Sequence, residues 1–549
     1  MGEGPLGLRY LSAHANKRVM TAILGFHPHS IRKRRIAAPT VRWCVALGLC
    51  ILLASCAKPP APPPPPPPPA EVWPETGWTF STPEAQGIDS EALAEAIEAI
   101  RNDNIPVHSL FVERKGYAFL DVYFFPFADN ETHDLASVTK SVTSTLIGIA
   151  QGQHRLGSLD QPIISILPVT QTAAADPRKQ RITVANLLSM TSGLDCRGNP
   201  AENVLLEMEQ SPHWADFMLA RPQAFDPGTT FEYCGGSMHL VSAALSRGVG
   251  ESAFDLAHQF LFAPLAIAQA VWPADPDGVS YGFAGLELQP RDAAKLGHLW
   301  LHRGLWKDQQ LVPTDYMVAA LTPRASVQPG VQYGYGMWLY PSHAPYDFQA
   351  NGRGGQRITV VPEQDLVEVA TAGGVDENRI APLLAEAVKA NHPLPPNPVG
   401  VAWLAKIVAW AALPPVAYAP AAAPQWAPAI AGKTWLVSAN PLGFHSLSLA
   451  FGTSGEGVIR FGFANGIVED HPFGLDGVPR VSVNKASGHR VALVGRWSDN
   501  AFDLDYDEIA RINAYRLHFV PVDNGLGIRI TERSGLADIT LTATPAAVN

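Results

Sequence analysis

A chain of 549 residues, 47% hydrophobic and 16% charged, is long enough for more than one folded core. Its formal charge of −10 gives no support for the basic surface that a nucleic-acid partner requires. The five cysteines form no Cys-x-x-Cys and the histidines no His-Glu-x-x-His, so neither a metal nor another cofactor is expected.

Arg32, Lys33, Arg34, Arg35 and Arg42 precede an uncharged apolar run, Trp43 to Leu53, that is too short to span a bilayer. Basic flank plus apolar core predicts a secretory signal, with Met20 as an alternative start. The run ends in Leu53-Ala54-Ser55-Cys56, which resembles a bacterial lipobox and makes Cys56 the candidate lipidation site. Residues 1–56 are therefore read as signal and lipobox, and 57–78 as a linker in which Pro59 to Pro69 forms a stiff extended spacer. The expectation is a body held in the periplasm by an N-terminal lipid. Ala57 is not the aspartate that retains lipoproteins at the inner membrane, which favours the outer membrane. Residues 1–55 carry eight Lys/Arg and one acid, net +7, so the remainder carries −17. With Cys44 and Cys50 in the signal, only Cys196 and Cys234 remain in the folded body. A disulfide and two buried thiols are both open readings for them.

Val112 to Phe124 reads as a hairpin turning at Lys115-Gly116. Next, Val138, Val142, Leu146 and Ile149 recur at helical spacing, with Ser137, Lys140 and Ser144 on the adjacent polar face. Ser-x-x-Lys occurs four times, at Ser30, Ser55, Ser137 and Ser482, so spacing alone selects none of them. Ser30 and Ser55 fall in the signal, and Ser482 with Lys485 lies in a strand-like stretch that sends the two side chains to different faces. At Ser137 the helix brings hydroxyl and ammonium together. The plainer reading is a helix-capping serine beside a solvated lysine, although a cation is unfavourable in a first turn.

Residues 393–431 form a Pro/Ala-rich linker with a short apolar helix, Val401 to Leu413. From Gly432 the pattern alternates, as in Tyr515 to Phe519 and Gly527 to Thr531 around a turn at Asp523-Asn524-Gly525, and predicts a small all-β barrel or sandwich over 432–549.

Several collinear motifs add a resemblance. Asp134-Leu-Ala-Ser-Val-Thr-Lys-Ser141, Leu159-Asp-Gln-Pro162, Ile182 to Leu194, Pro227-Gly-Thr-Thr-Phe-Glu-Tyr233, Leu288 to Gly297, Tyr335-Gly-Met-Trp338 and Gly352-Arg-Gly-Gly-Gln356 are similar to the serine β-lactamase-related superfamily. That group includes class C β-lactamases, penicillin-binding proteins, family VIII esterases and 6-aminohexanoate-dimer hydrolases. Met190 and the Gly-x-Gly-Gly-Gln ending resemble the last branch most. The resemblance implies an α+β fold over 79–392, an antiparallel sheet flanked by helices with a helical insert.

It further implies Ser137 as nucleophile, Lys140 as general base and Tyr233 as proton shuttle. A free lysine titrates near 10.4, so that role requires Lys140 to be desolvated. The backbone N–H groups of Ser137 and Arg353 would form the oxyanion hole, with Gly352, Gly354, Gly355 and Gln356 lining the substrate. The Arg353 side chain has two readings, a carboxylate ligand or an exposed arginine. Gly235 stands where the family has an amide-binding asparagine, and Ala350-Asn351-Gly352 replaces its cationic Lys-Thr-Gly, which argues against efficient penicillin hydrolysis. Cys196 and Cys234, if paired, would brace the wall at Tyr233. The favoured expectation is a lipid-anchored serine hydrolase of small carboxylic esters or linear amides. Its rivals are a binding or scaffolding lipoprotein with little turnover and a DD-peptidase of cell-wall peptides, the latter predicting acylation by penicillin.

Overall fold

The computed structural model describes residues 72–167, 176–197, 203–375, 379–453 and 455–547. Cys56 and the Pro59–Pro69 run lie outside them.

A nine-stranded sheet runs Thr79–Phe80, Tyr117–Tyr123, Val107–Arg114, Leu366–Ala372, Gln356–Val361, Asp347–Gly352, Trp338–Tyr340, Val331–Tyr333, Ala325–Gln328. Every pairing is antiparallel except the edge pair Thr79–Phe80 with Tyr117–Tyr123, so the sheet is mixed rather than purely antiparallel. Lys115 and Gly116, at φ 54° and 80°, make the expected two-residue turn, the geometry that matches strand twist. All of Val107–Arg114 is buried, because both faces of the sheet are covered. Alternate side chains part accordingly. Phe111, Val367 and Val369 join the core beneath the helix Pro290–Leu301, while Leu110, Val112 and Leu366 pack under Ser90–Asn102 and Pro398–Ala411.

The helix Val138–Gly152 lies inside the domain, with every residue from Val138 to Ala150 buried. Its polar side is therefore buried along with its apolar one. Each hydroxyl finds a partner: Ser141 Oγ donates to Gly336 O at 2.6 Å, Thr143 Oγ1 to Gly282 O at 3.0 Å, and Ser144 Oγ to Tyr335 O at 2.7 Å. These bonds hold the helix in one rotation about its axis, which orients its first turn.

Ten strands from Thr434–Val437 to Asp538–Pro545 form the C-terminal barrel, closed where Val468–Gly474 meets Arg490–Trp497. Phe473, Phe502, Phe519 and Ile530 fill its interior. The turn after Val522 pairs Val522 with Gly525 as expected. Ser482 Oγ lies 2.9 Å from His471 Nδ1 while Lys485 Nζ reaches Val468 O, so this Ser-x-x-Lys pair is separated.

Candidate active site

The chain enters the site through Asp134-Leu135-Ala136. Asp134 Oδ1 accepts the Ala136 N–H at 2.8 Å, Leu135 N donates to Leu286 O at 2.9 Å, and Thr139 Oγ1 donates to Ala136 O at 2.6 Å. Ala136 sits at φ 47°, a strained region for a residue with a Cβ, and these bonds on every side hold it there. The tight turn delivers Ser137 to the N-terminus of the helix. Ser137 occupies the cap position, yet its side chain makes no capping bond. The capping reading thus fails, and the hydroxyl is directed elsewhere.

It meets Lys140. Nζ lies 2.8 Å from Ser137 Oγ, donates to Phe283 O at 2.9 Å, and stands 4.8 Å from the centre of the Tyr233 ring. Lys140 is 3% exposed, so the solvated-lysine reading fails as well. Tyr233 presents its ring face to this ammonium and packs 5.6 Å from Trp338, with Tyr333 and Phe231 behind. Burial, then the neighbouring Tyr233, push the Tyr333 phenol well above its ordinary range, leaving it a neutral donor. Cys196 and Cys234 are disulfide-bonded, and Cys234 caps the helix Gly235–Val249. The bond joins the Ser192–Cys196 loop to the residue after Tyr233, bracing that wall. A Cβ on Gly235 would meet Leu205 at 3.0 Å, so apolar packing occupies the place of the family's asparagine.

The opposite wall is the end of the strand Asp347–Gly352. A Cβ on Gly352 would come within 2.5 Å of Leu135 O and 3.0 Å of Ala136 Cβ, so only glycine lets this strand lie against the serine turn. Ala350, in the place of the family's cation, is buried, and Asn351 after it donates to Tyr340 OH at 2.9 Å. Three expected substrate contacts are corrected here. Gln356 is fully buried and clamps its own sheet, donating to Ala372 O at 2.5 Å and accepting Ala372 N–H at 3.1 Å. Gly355, at φ 96°, is buried in a turn against Ala372 and Val375. Gly354, at φ 79°, directs its missing Cβ to within 2.4 Å of Ile512 in the barrel. Nor is the Arg353 side chain a carboxylate ligand or an exposed arginine. It donates to Asn513 Oδ1 at 2.8 Å and to Ser534 Oγ, and lies 3.5 Å from Glu532.

The barrel turn Ile509–Asn513 was absent from every sequence expectation, yet it adjoins the site. Asp134 N donates to Ala510 O at 3.0 Å, and Arg511 pairs with Glu287 at 2.7 Å and approaches Asp134 at 3.8 Å. No local pattern marks it, because its partners lie more than 200 residues away in the chain.

The Beta-lactamase family profile matches residues 93–391. A probable fimbrial assembly protein FimD (serogroup H1) of Dichelobacter nodosus is 33% identical over 139 residues, 25% of this chain and 34% of that protein. The 6-aminohexanoate-dimer hydrolase of Paenarthrobacter ureafaciens is 23% identical over 257 residues, 44% of this chain and 64% of that one. The chain thus spans about a third of the first relative and under two thirds of the second. Among solved structures, a D-stereospecific amidohydrolase from Streptomyces sp. aligns at 16% identity and a TM-score of 0.44, over 54% of this chain and 98% of that one. Matched over more than half its length, with the serine, lysine and glycine-ended strand assembled in one place, the chain belongs to the Beta-lactamase family.

Proposed function

We propose that the protein is a lipid-anchored serine hydrolase of the cell envelope that cleaves small carboxylic esters or linear amides through an acyl-enzyme on Ser137. The carrying observation is a buried lysine 2.8 Å from a serine hydroxyl that its helix does not use as a cap. Lys140 takes the hydroxyl proton as Oγ bonds to the substrate carbonyl carbon, and the N–H groups of Ser137 and Arg353 receive the oxyanion. The proton passes by Tyr233 to the departing alcohol or amine as the tetrahedral adduct collapses. Water then adds to the acyl carbon by the same route, giving the acid and free Ser137.

An uncharged Ala350 in the place of the family's cation and an Arg353 held by the barrel leave no cation from either residue for a β-lactam carboxylate, which favours neutral acyl groups over penicillins. The test is incubation of the full chain with a fluorophosphonate probe and with p-nitrophenyl esters, beside Ser137→Ala. Labelling and turnover confined to the wild type are expected. A folded wild type that neither labels nor turns over any ester would sink the proposal and favour a binding role. Rapid acylation by penicillin would move it to a peptidase.

A further inference from the structure

The two N–H groups assigned above to the oxyanion belong to separate segments, Ser137 after the Asp134–Ala136 turn and Arg353 after the strand Asp347–Gly352. Both must stand within hydrogen-bond distance of one oxygen atom, so the gap between the segments has to be fixed. The barrel turn Ile509–Asn513 touches both. Ala510 O accepts the Asp134 N–H at 3.0 Å, and Arg511 pairs with Glu287 at 2.7 Å and approaches Asp134 at 3.8 Å. Ile512 packs against Gly354, and Asn513 Oδ1 accepts from the Arg353 guanidinium at 2.8 Å. Four consecutive residues thus divide their contacts, 510 and 511 holding the serine side and 512 and 513 the arginine side.

The turn is anchored firmly enough to act as a gauge. Ile509 and Ile512 are buried, Ile509 N donates to Arg490 O at 2.8 Å, and Glu508 N donates to Asn513 O at 3.1 Å to close the turn. Ala510 sits at φ 65°, a region disfavoured for a residue with a Cβ, in the conformation that gives its carbonyl to Asp134. Charge fixes the neighbouring contact. Asp134 and Glu287 are opposite each other in the strand pair His133–Asp134 with Glu287–Leu288, and both are buried. Like charges so placed repel, and the Arg511 guanidinium offsets that repulsion from the barrel side. The same Asp134 holds the Ala136 N–H through Oδ1, so what steadies this carboxylate steadies the turn that delivers Ser137.

We infer that the turn Ile509–Asn513 makes the barrel part of the catalytic apparatus, with Arg511 and Asn513 as positioning residues that set the spacing of the two oxyanion donors. This rests on the hydrolase reading given above and adds a task for the barrel.

The experiment measures kcat and KM of the full chain on its best p-nitrophenyl ester for the wild type, Arg511→Met, Arg511→Lys and Asn513→Ala, each well below its own thermal midpoint. Arg511→Met and Asn513→Ala are expected to lower kcat by about 10- to 100-fold, the scale of a misplaced donor, with KM within about twofold. Arg511→Lys returns the charge without the planar fork and should recover part of the loss. If Arg511→Met does not fold, Asn513→Ala decides alone by the same two readings. Wild-type kcat in the folded variants, or a raised KM at unchanged kcat, would overturn the inference, while turnover by the wild type would leave the hydrolase reading standing. A folded wild type without turnover would overturn both.

Discussion

Ser137 and Lys140 share one face of a helix turn, and burial of the lysine against the uncapped serine makes them a pair. The serine is excused from capping, and the lysine is enclosed by Phe283 and the Tyr233 ring. Lys140→Met keeps the stem's volume while deleting the ammonium. It should lower kcat/KM on the best ester by ~10²- to 10⁴-fold, with KM little changed and the thermal midpoint retained. A loss of less than about threefold would remove Lys140 from the mechanism. Tyr233→Phe retains the ring face toward Lys140 and deletes only the hydroxyl. A drop in kcat of about tenfold or more fits a proton shuttle, whereas an unchanged kcat assigns the residue to the wall alone.

Among the elements, the Arg353–Gly355 turn and the barrel turn Ile509–Asn513 are fitted to each other. Gly354→Ala introduces both a positive-φ penalty and a clash with Ile512 Cγ2, a branched atom with little freedom to move. A loss of ~1–3 kcal/mol by denaturant titration is expected. Adding Ile512→Ala should recover the clash but not the backbone strain, so the two changes will be non-additive. If Gly354→Ala is neutral, the turn is not held as described. The disulfide acts within one region, closing a sequence separation of 38. Full reduction should cost ~3–4 kcal/mol, read as a lower midpoint with dithiothreitol that Cys196→Ser/Cys234→Ser reproduces.

At the scale of the whole molecule, histidines gather where hydrolase domain and barrel meet. His133 Nδ1 donates to Asp134 O at 2.8 Å, which leaves its Nε2 bare to accept from His108 Nδ1, also at 2.8 Å. His489 accepts from Arg511 at 2.6 Å, on the turn beside Asp134. Burial first, then nearby cations including Arg511, pull His133 and His489 down to about 4, and burial with His133 and Arg533 pulls His108 well below its usual range. All three are neutral when folded but gain a proton near 6.5 when unfolded. Their stabilisation is therefore complete above about pH 6.5 and is lost as pH falls toward 4. For the fully buried His133 the loss is on the order of 3 kcal/mol. Denaturation profiles should show an acid limb that opens at about 6.5, well above carboxylate titration, and that flattens in His133→Gln. An unchanged limb in that variant would sink this account.

The sequence alone determined the features that depend on near neighbours. The Lys115-Gly116 and Asp523-Asn524 turns, the period of the serine helix, the alternation of the barrel strands and the local Ser-x-x-Lys register are set by backbone sterics and side-chain periodicity over a few residues. Family-specific motifs then singled out Ser137. Only the tertiary structure decided what depends on distant partners. It buried the helix's polar face, because carbonyls near residues 282 and 335 supply its hydrogen bonds. It turned Gln356, Gly354 and Arg353 from substrate toward sheet and barrel, because residues more than 150 positions later approach two of them. It also paired two cysteines for which composition had left both readings open. Local pattern reports which way a side chain points along its own element; what stands in front of it is settled by packing.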